Sequence, residues 1–235
     1  FDSSKELATN LWHGSKLKIF AEYNQKIAKQ HDNLIVLGFD FRKSVHLFRN
    51  MTWATRLAAS TNFGVSRLVY FMGGVDNWIA PKFNSTIWVD QTKNYQYQTL
   101  ATSMRGFSQN TRNGTSFALL STELRMPVVQ LVTGKKISRP FFNSIQLIAF
   151  ADLGTAWTGL TPYSEEHCLY TRYIDSGNIH AVVKRQVDPW IIGVGAGLRA
   201  SLLGYFLRFD YAWGIENFQV ADKKGMFLFS IGTDF

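Results

Sequence analysis

Few residues in this chain are spaced for covalent chemistry. His167 and Cys168 are adjacent in a polar stretch, and Cys168 is the only cysteine. No second histidine or cysteine stands beside them, so neither a metal centre nor a disulfide within the chain is expected. Gly193, Gly195 and Gly197 alternate as in the start of a phosphate-binding loop. No helical pattern follows them, so they read as glycines that leave room on one face of a strand. A Gly-x-Ser-x-Gly elbow, a zinc-binding helix motif and a P-loop are all missing from the sequence. Lys135, Lys136 and Arg139 read as a solvated turn, and Asn113-Gly114 as the start of the next strand. The expectation is a protein that is not an enzyme and takes no cofactor and no metal.

The elements that would hold any functional side chain are strands. Hydrophobic residues make up 46% of the 235 and charged ones only 18%, with 19 Phe, 9 Tyr and 7 Trp. No apolar run reaches the roughly 18 residues of a spanning helix. Period-2 alternation dominates instead. Tyr205, Leu207, Phe209, Tyr211 and Trp213 fall on one face, and Phe206, Arg208, Asp210, Ala212 and Gly214 on the other. Phe227, Phe229, Ile231 and the terminal Phe235 likewise oppose Leu228, Ser230, Gly232 and Asp234. A helix would scatter both sets, whereas a strand separates them. The same pattern marks strands near 14–28, 33–45, 51–64, 114–130, 141–157, 192–201, 205–214 and 224–235. Gly225 and Gly232 are expected to weaken pairing in the last.

Aromatics sit at the ends of the apolar faces (Trp53, Trp157, Tyr205, Trp213 and Phe235), as in the girdles of a membrane barrel, while glycines and charges take the other face. The rival fold is a soluble β-sandwich with the apolar face as its core. The connections favour the barrel. Those at 29–32, 46–50, 131–140 and 203–204 are short, those at 65–113 and 158–188 are long, and the long ones share a side. Barrels of this kind keep short turns periplasmic and long loops outside. The 65–113 loop carries Leu68, Val69, Tyr70, Phe71, Met72 and Trp78, too many apolar groups to hang in water, so it is expected to enter the lumen. A barrel of eight strands has no room for it, so about sixteen are expected in all. The reading is all-β: an antiparallel transmembrane β-barrel whose C-terminal eight strands, roughly, make up residues 1–235. The N-terminal strands and any periplasmic domain would lie upstream of Phe1.

Five segments in order resemble the BamA/TamA-type outer-membrane assembly-factor superfamily, over about residues 33–235. They are Tyr70-Phe71-Met72-Gly73-Gly74, Met104-Arg105-Gly106-Phe107, Glu123-Leu124-Arg125-Met126-Pro127, Phe150 to Trp157 with its Asp152-x-Gly154-x-x-Trp157 core, and Phe227 to Phe235. The wording is most similar to Bacteroidota-type members. One departure is the stretch of about thirty residues between Gly74 and Arg105, where the family has only a few. It contains Trp78, Pro81, Trp88 and Asp90 and is expected to form an extra extracellular flap.

The resemblance implies that Arg105, beside Gly106 and Phe107, reaches lumen-facing acids at Glu123 and Asp152. Alternation independently turns both acids inward, and a guanidinium presents a rigid fork to carboxylates. It also implies that Phe227, Phe229, Ile231, Gly232 and Phe235 form a C-terminal insertion signal. The function it implies is insertion or translocation of proteins at the bacterial outer membrane, through a labile seam between the first and last strands. The alternatives are a barrel that anchors or exports an N-terminal propeller or hydrolase, and a passive porin. The net charge is +8, but its basic residues are scattered, which argues against nucleic acid. Expected partners are outer-membrane lipid or lipopolysaccharide, client outer-membrane proteins and assembly subunits.

Overall fold

The computed structural model describes residues 1–8, 11–25, 33–48, 51–89, 95–134, 140–164, 171–176, 179–184, 187–202 and 204–232. Its elements run β1 (Lys5–Ala8), β2 (Leu11–Gln25), β3 (Asn33–His46), β4 (Thr52–Gly64), β5 (Arg67–Met72), β6 (Tyr95–Leu100), β7 (Arg112–Gly114) and β8 (Ser116–Pro127). Two short helices follow, α1 (Val128–Thr133) and α2 (Pro140–Asn143). Then come β9 (Gln146–Trp157), β10 (Thr171–Ser176), β11 (Ile179–Lys184), β12 (Ile191–Leu202), β13 (Tyr205–Glu216), β14 (Gln219–Val220) and β15 (Met226–Gly232).

The chain is all-β, and its main sheet is an antiparallel meander in the order β1-β2-β3-β4-β8-β9-β12-β13, with β14 and β15 both on the far side of β13. The eight strands expected from alternation are β2, β3, β4, β8, β9, β12, β13 and β15. Most have 12 to 15 residues, ample for a tilted strand to cross hydrocarbon. Among the described residues β15 pairs with β13, and β1 with β2, but not with each other.

Burial is inverted relative to a water-soluble sheet. Along β8 and β9 the covered side chains include Ser121, Glu123, Arg125, Gln146 and Asp152; Glu123 is 2% exposed and Asp152 1%. Ile19 (75%), Trp53 (53%) and Phe227 (60%) stand open on the opposite face, along with Leu57, Leu120, Leu147, Leu198 and Ile231. In water such a surface would be unfavourable by about 25 cal/mol per Å² of apolar area. Against lipid that penalty vanishes, and the polar face becomes the lumen. On the outer face Phe209 stacks on its cross-strand partner Phe229 with ring centroids 4.5 Å apart. Trp53 and Tyr205, near the starts of β4 and β13, mark one rim; Trp157 at the end of β9 and Trp213 late in β13 mark the other.

Several boundaries move. The strands expected to reach 130 and to begin at 141 stop at Pro127 and start at Gln146. Pro127 brings no N–H to a ladder and Pro140 suits a first helical turn, so the connection coils into α1 and α2. Gly225 is not in the last strand; it takes a positive φ of 68° in the turn before it. Gly204 (φ 84°) lets Leu202 face Tyr205 across a tight turn. The hairpin of β1 on β2 was not expected. The 29–32 turn, Asn50, Asp90, Lys135, Lys136, Arg139, His167, Cys168, Leu203, Asp234 and Phe235 lie outside the described residues.

Candidate functional site

Much of the described part of residues 65–113 packs against the inner wall. Within them β5 lies between β6, which is parallel to it, and β7, which is antiparallel. Leu68, Tyr70, Met72, Met104 and Phe107 join Leu34, Val36, Ala58, Phe117, Leu119 and Ile191 of the wall in one apolar cluster. The Tyr70 ring meets Phe117 edge-on at 4.9 Å, and its hydroxyl lies 2.9 Å from Ser60 Oγ. Asn62 closes the corner, donating to the carbonyls of Leu68 and Thr115 and accepting from the Leu68 N–H.

This packing carries Arg105 onto the inner faces of β8 and β9. Its Nε and Nη2 donate to the two oxygens of Asp152 at 2.7 and 2.6 Å. Nη1 donates to Glu123 Oε1 at 2.5 Å, and Nη2 also reaches Ser121 Oγ at 3.1 Å. Ser121 in turn donates to Asp152 at 2.6 Å. The guanidinium lies flat over the Phe150 ring, 3.7 Å from its centroid. All four partners point the same way because period 2 puts Ser121 and Glu123, and Phe150 and Asp152, on one face. Burial opposes the charge on Arg105, but the carboxylates of Asp152 and Glu123 outweigh it and hold the guanidinium protonated well above its ordinary range.

The opposite side of Arg105 meets glycine. Gly193 and Gly214 face each other across β12 and β13. A side chain on Gly193 would collide with the Arg105 carbonyl, and one on Gly214 with the Gly106 carbonyl and the Phe107 ring. Gly106 itself has φ 87°, and a Cβ there would strike the backbone of Trp213 and Gly214. The loop therefore lies backbone-to-backbone on the wall, and Gly193 of β12 and Gly214 of β13 are what let it approach.

The structure thus brings Arg105, Glu123 and Asp152 together, with Gly106 and Phe107 seated beside them. Phe227, Phe229 and Ile231 stand apart on the outer face of β15, which Gly232 ends. Sequence reasoning missed Ser121, Phe150, Arg125 and Arg199. Arg125 and Arg199 flank Glu123 at 2.9 and 3.2 Å, and Arg199 lies 3.8 Å from Asp210. Three arginines therefore face three carboxylates. The inward parity of β8, β9, β12 and β13 was the available signal. Also missed was Arg112, fully buried at the loop's root, which donates to the carbonyls of Pro189, Asp188 and Thr111 and to Glu216 at 2.6 Å. Below the loop a polar cavity of about 220 Å³ is lined by Arg42, Arg56, Asp76, Arg199, Arg208 and Asp210. Among the described residues no three His, Cys, Asp or Glu side chains cluster as metal ligands would.

Of the inserted residues, Val75 and Trp78 are seated in the lumen. Trp78 turns into the lumen among Val75, Ile148, Phe150, Ala212 and Leu228, because that apolar pocket gives its ring a better place than water would. No curated protein matches the chain. The domain description "Omp85 superfamily domain" matches residues 12–235, taking in all eight long strands and the loop that fills them, so the chain belongs to the Omp85 superfamily of outer-membrane proteins.

Proposed function

We propose that this chain acts in the insertion or translocation of polypeptides at the bacterial outer membrane, without covalent chemistry, and that Arg105 is the lock of its lumen loop. Members of the superfamily serve outer-membrane protein insertion or translocation. The observation that carries the reading is the buried fork of Arg105 on Asp152 and Glu123. A charge buried this deeply needs strong compensation, and breaking such a pair is far costlier than its net contribution. That makes the clasp a two-state element: closed and satisfied, or open with every charge returned to a wet lumen. Passive solute diffusion would need a lumen free of this loop, and the loop packs on the inner wall instead. Assembly fits better, because a labile seam between the first and last strands can template an incoming strand. In this reading about sixteen strands complete the barrel, lipid or lipopolysaccharide covers the outer face, and client proteins and assembly subunits are the partners.

The test is reconstitution of the full-length protein in lipid vesicles with an unfolded outer-membrane client. Protease-resistant client should fall by about tenfold or more with Arg105→Ala, since the loss of about 3–5 kcal/mol from the clasp exceeds the roughly 1.4 kcal/mol that a tenfold change needs. Client yield unchanged in a variant whose loop has become protease-sensitive would overturn the lock.

A further inference from the structure

The residues that grip Arg105 form a square on two paired strands. In the β8–β9 ladder Ser121 stands opposite Asp152, and Glu123 opposite Phe150. All four are buried. Their spacing is set by the ladder and not by the loop, so the square keeps its shape when the loop is elsewhere. The wall also seats the Phe150 ring. A Cβ on Gly195 would come within 2.7 Å of its tip, and Ile148, Ala212 and Leu228 pack in the same cluster.

The two acids differ in what the wall itself gives them. Glu123 accepts from Arg125 at 3.0 Å and from Arg199 at 3.2 Å, so it keeps two cations without the loop. Asp152 accepts from the backbone N–H, Nε and Nη2 of Arg105 and from the Ser121 hydroxyl. Among the described residues no other donor reaches it. Lifting the loop therefore returns Asp152 to a wet lumen with one neutral donor and no cation. A chain that brought its own cation would stabilise that open state. The polar cavity of about 220 Å³ leads to the spot, since Ser121 and Glu123 line it together with Arg105.

The square selects the cation. An aromatic face 3.7 Å from the charge, two carboxylates and a hydroxyl suit a planar fork of N–H donors. An ammonium is a point charge and cannot stack flat while gripping both acids. A divalent metal ion would meet Arg125 and Arg199 beside Glu123.

We propose that Ser121, Glu123, Phe150 and Asp152 are a guanidinium receptor in their own right, and that an arginine side chain of another polypeptide occupies it when Arg105 leaves. The identity of that polypeptide rests on the insertion or translocation reading, and the guanidinium chemistry rests on the wall alone. The exchange leaves the charge on the wall unchanged, because one cation departs and one arrives. An incoming chain with arginine among its polar residues thereby favours the open loop.

The experiment uses the full-length protein in vesicles of phosphatidylethanolamine and phosphatidylglycerol, with amide exchange over residues 101–111 as the readout. In Arg105→Ala, propylguanidinium should restore loop protection by at least about tenfold, and propylammonium at the same concentration by far less. Equal rescue by the two, or none in a folded barrel, would overturn the receptor. The wild-type protein supplies a second arm that does not depend on how the variant folds. Its probes are three synthetic strands of alternating polar and apolar residues that differ at one central polar position. That position is arginine, lysine or citrulline, the neutral isostere of arginine, with a photo-crosslinker beside it. The arginine strand should lower protection about tenfold and crosslink to β8 or β9, and the other two should do neither. Loosening by all three alike would overturn the proposal. Loosening by propylguanidinium alone to the same degree would overturn the assignment to a polypeptide. Client folding is followed in the same vesicles. A protein that shows the exchange yet assembles no client keeps the receptor and loses the assembly reading. One that assembles clients with and without arginine equally well, and shows no exchange, does the reverse.

Discussion

Arg105 and Arg112 are both buried in the same loop, yet they hold it by different means. Arg105 bonds to side chains: both oxygens of Asp152, one of Glu123 and the Ser121 hydroxyl, with Phe150 beneath. Arg112 bonds mostly to backbone: the carbonyls of Thr111, Asp188 and Pro189, with Glu216 as its one carboxylate. The first pin depends on which residues two strands present to the lumen. The second depends on the path taken by a connection some seventy residues further along. A clasp of opposed charges is all or nothing, because each buried charge needs the others. A clasp on carbonyls is graded, since each bond lost forfeits only its own share.

The sharpest break in that contrast is Arg105→Ala. It strands Asp152 and Glu123 without their main counter-charge. The expected loss is about 3–5 kcal/mol of local stability, read as at least a 100-fold fall in amide-exchange protection over residues 101–111. Arg105→Lys should fall between wild type and Ala, because an ammonium is a point charge and cannot grip both acids as a fork does. If Lys and Ala behave alike, the geometry of the fork is what holds the loop. If Lys matches wild type, the net charge does. Unchanged protection in Arg105→Ala would remove the distinction between the two arginines.

How much of this was legible in the sequence follows the same division. The wall was, because lipid on one side and a wet lumen on the other force every strand into period 2, and Tyr205 to Gly214 shows it without help from any other element. Arg105, Glu123 and Asp152 were legible through ordered motifs and inward parity together. Arg112 was not, since carbonyl partners carry no residue signature and Glu216 lies more than a hundred positions away. Trp78 was legible as one of the apolar residues that turn the loop inward, but its partners Leu228 and Ala212, some 150 and 134 positions away, were not. The helices α1 and α2 were hidden because Val128, Val129, Leu131 and Val132 suit a strand as well as a turn of helix, and only the flanking Pro127 and Pro140 decide between them.

A smaller effect tests the wall rather than the charges. In Gly193→Ala the new methyl meets the Arg105 carbonyl head-on, with rigid backbone on both sides. The loop must retreat, stretching the bonds to Asp152, at an expected loss of about 1–3 kcal/mol. Exchange protection at 104–107 should fall while the outer face, and hence barrel stability, stays as it was. Gly204→Ala is the control: Gly204 has open space around it, so any loss there comes from its positive φ and should leave the loop untouched. If both variants loosen the loop equally, close approach is not what Gly193 supplies.

The smallest effect belongs to the second arginine. Glu216 is half-buried, and Arg112 keeps three carbonyl partners without it. Glu216→Gln retains an oxygen that can accept from Nη2 and removes only the charge. The expected loss is below about 1 kcal/mol, as for partly solvated pairs. Protection around 110–114 should therefore fall no more than a few-fold, and raising the salt concentration should shrink the difference further. A fall as large as that in Arg105→Ala would mean that Arg112 is charge-locked too, and that the loop has two switches rather than a switch and a hinge.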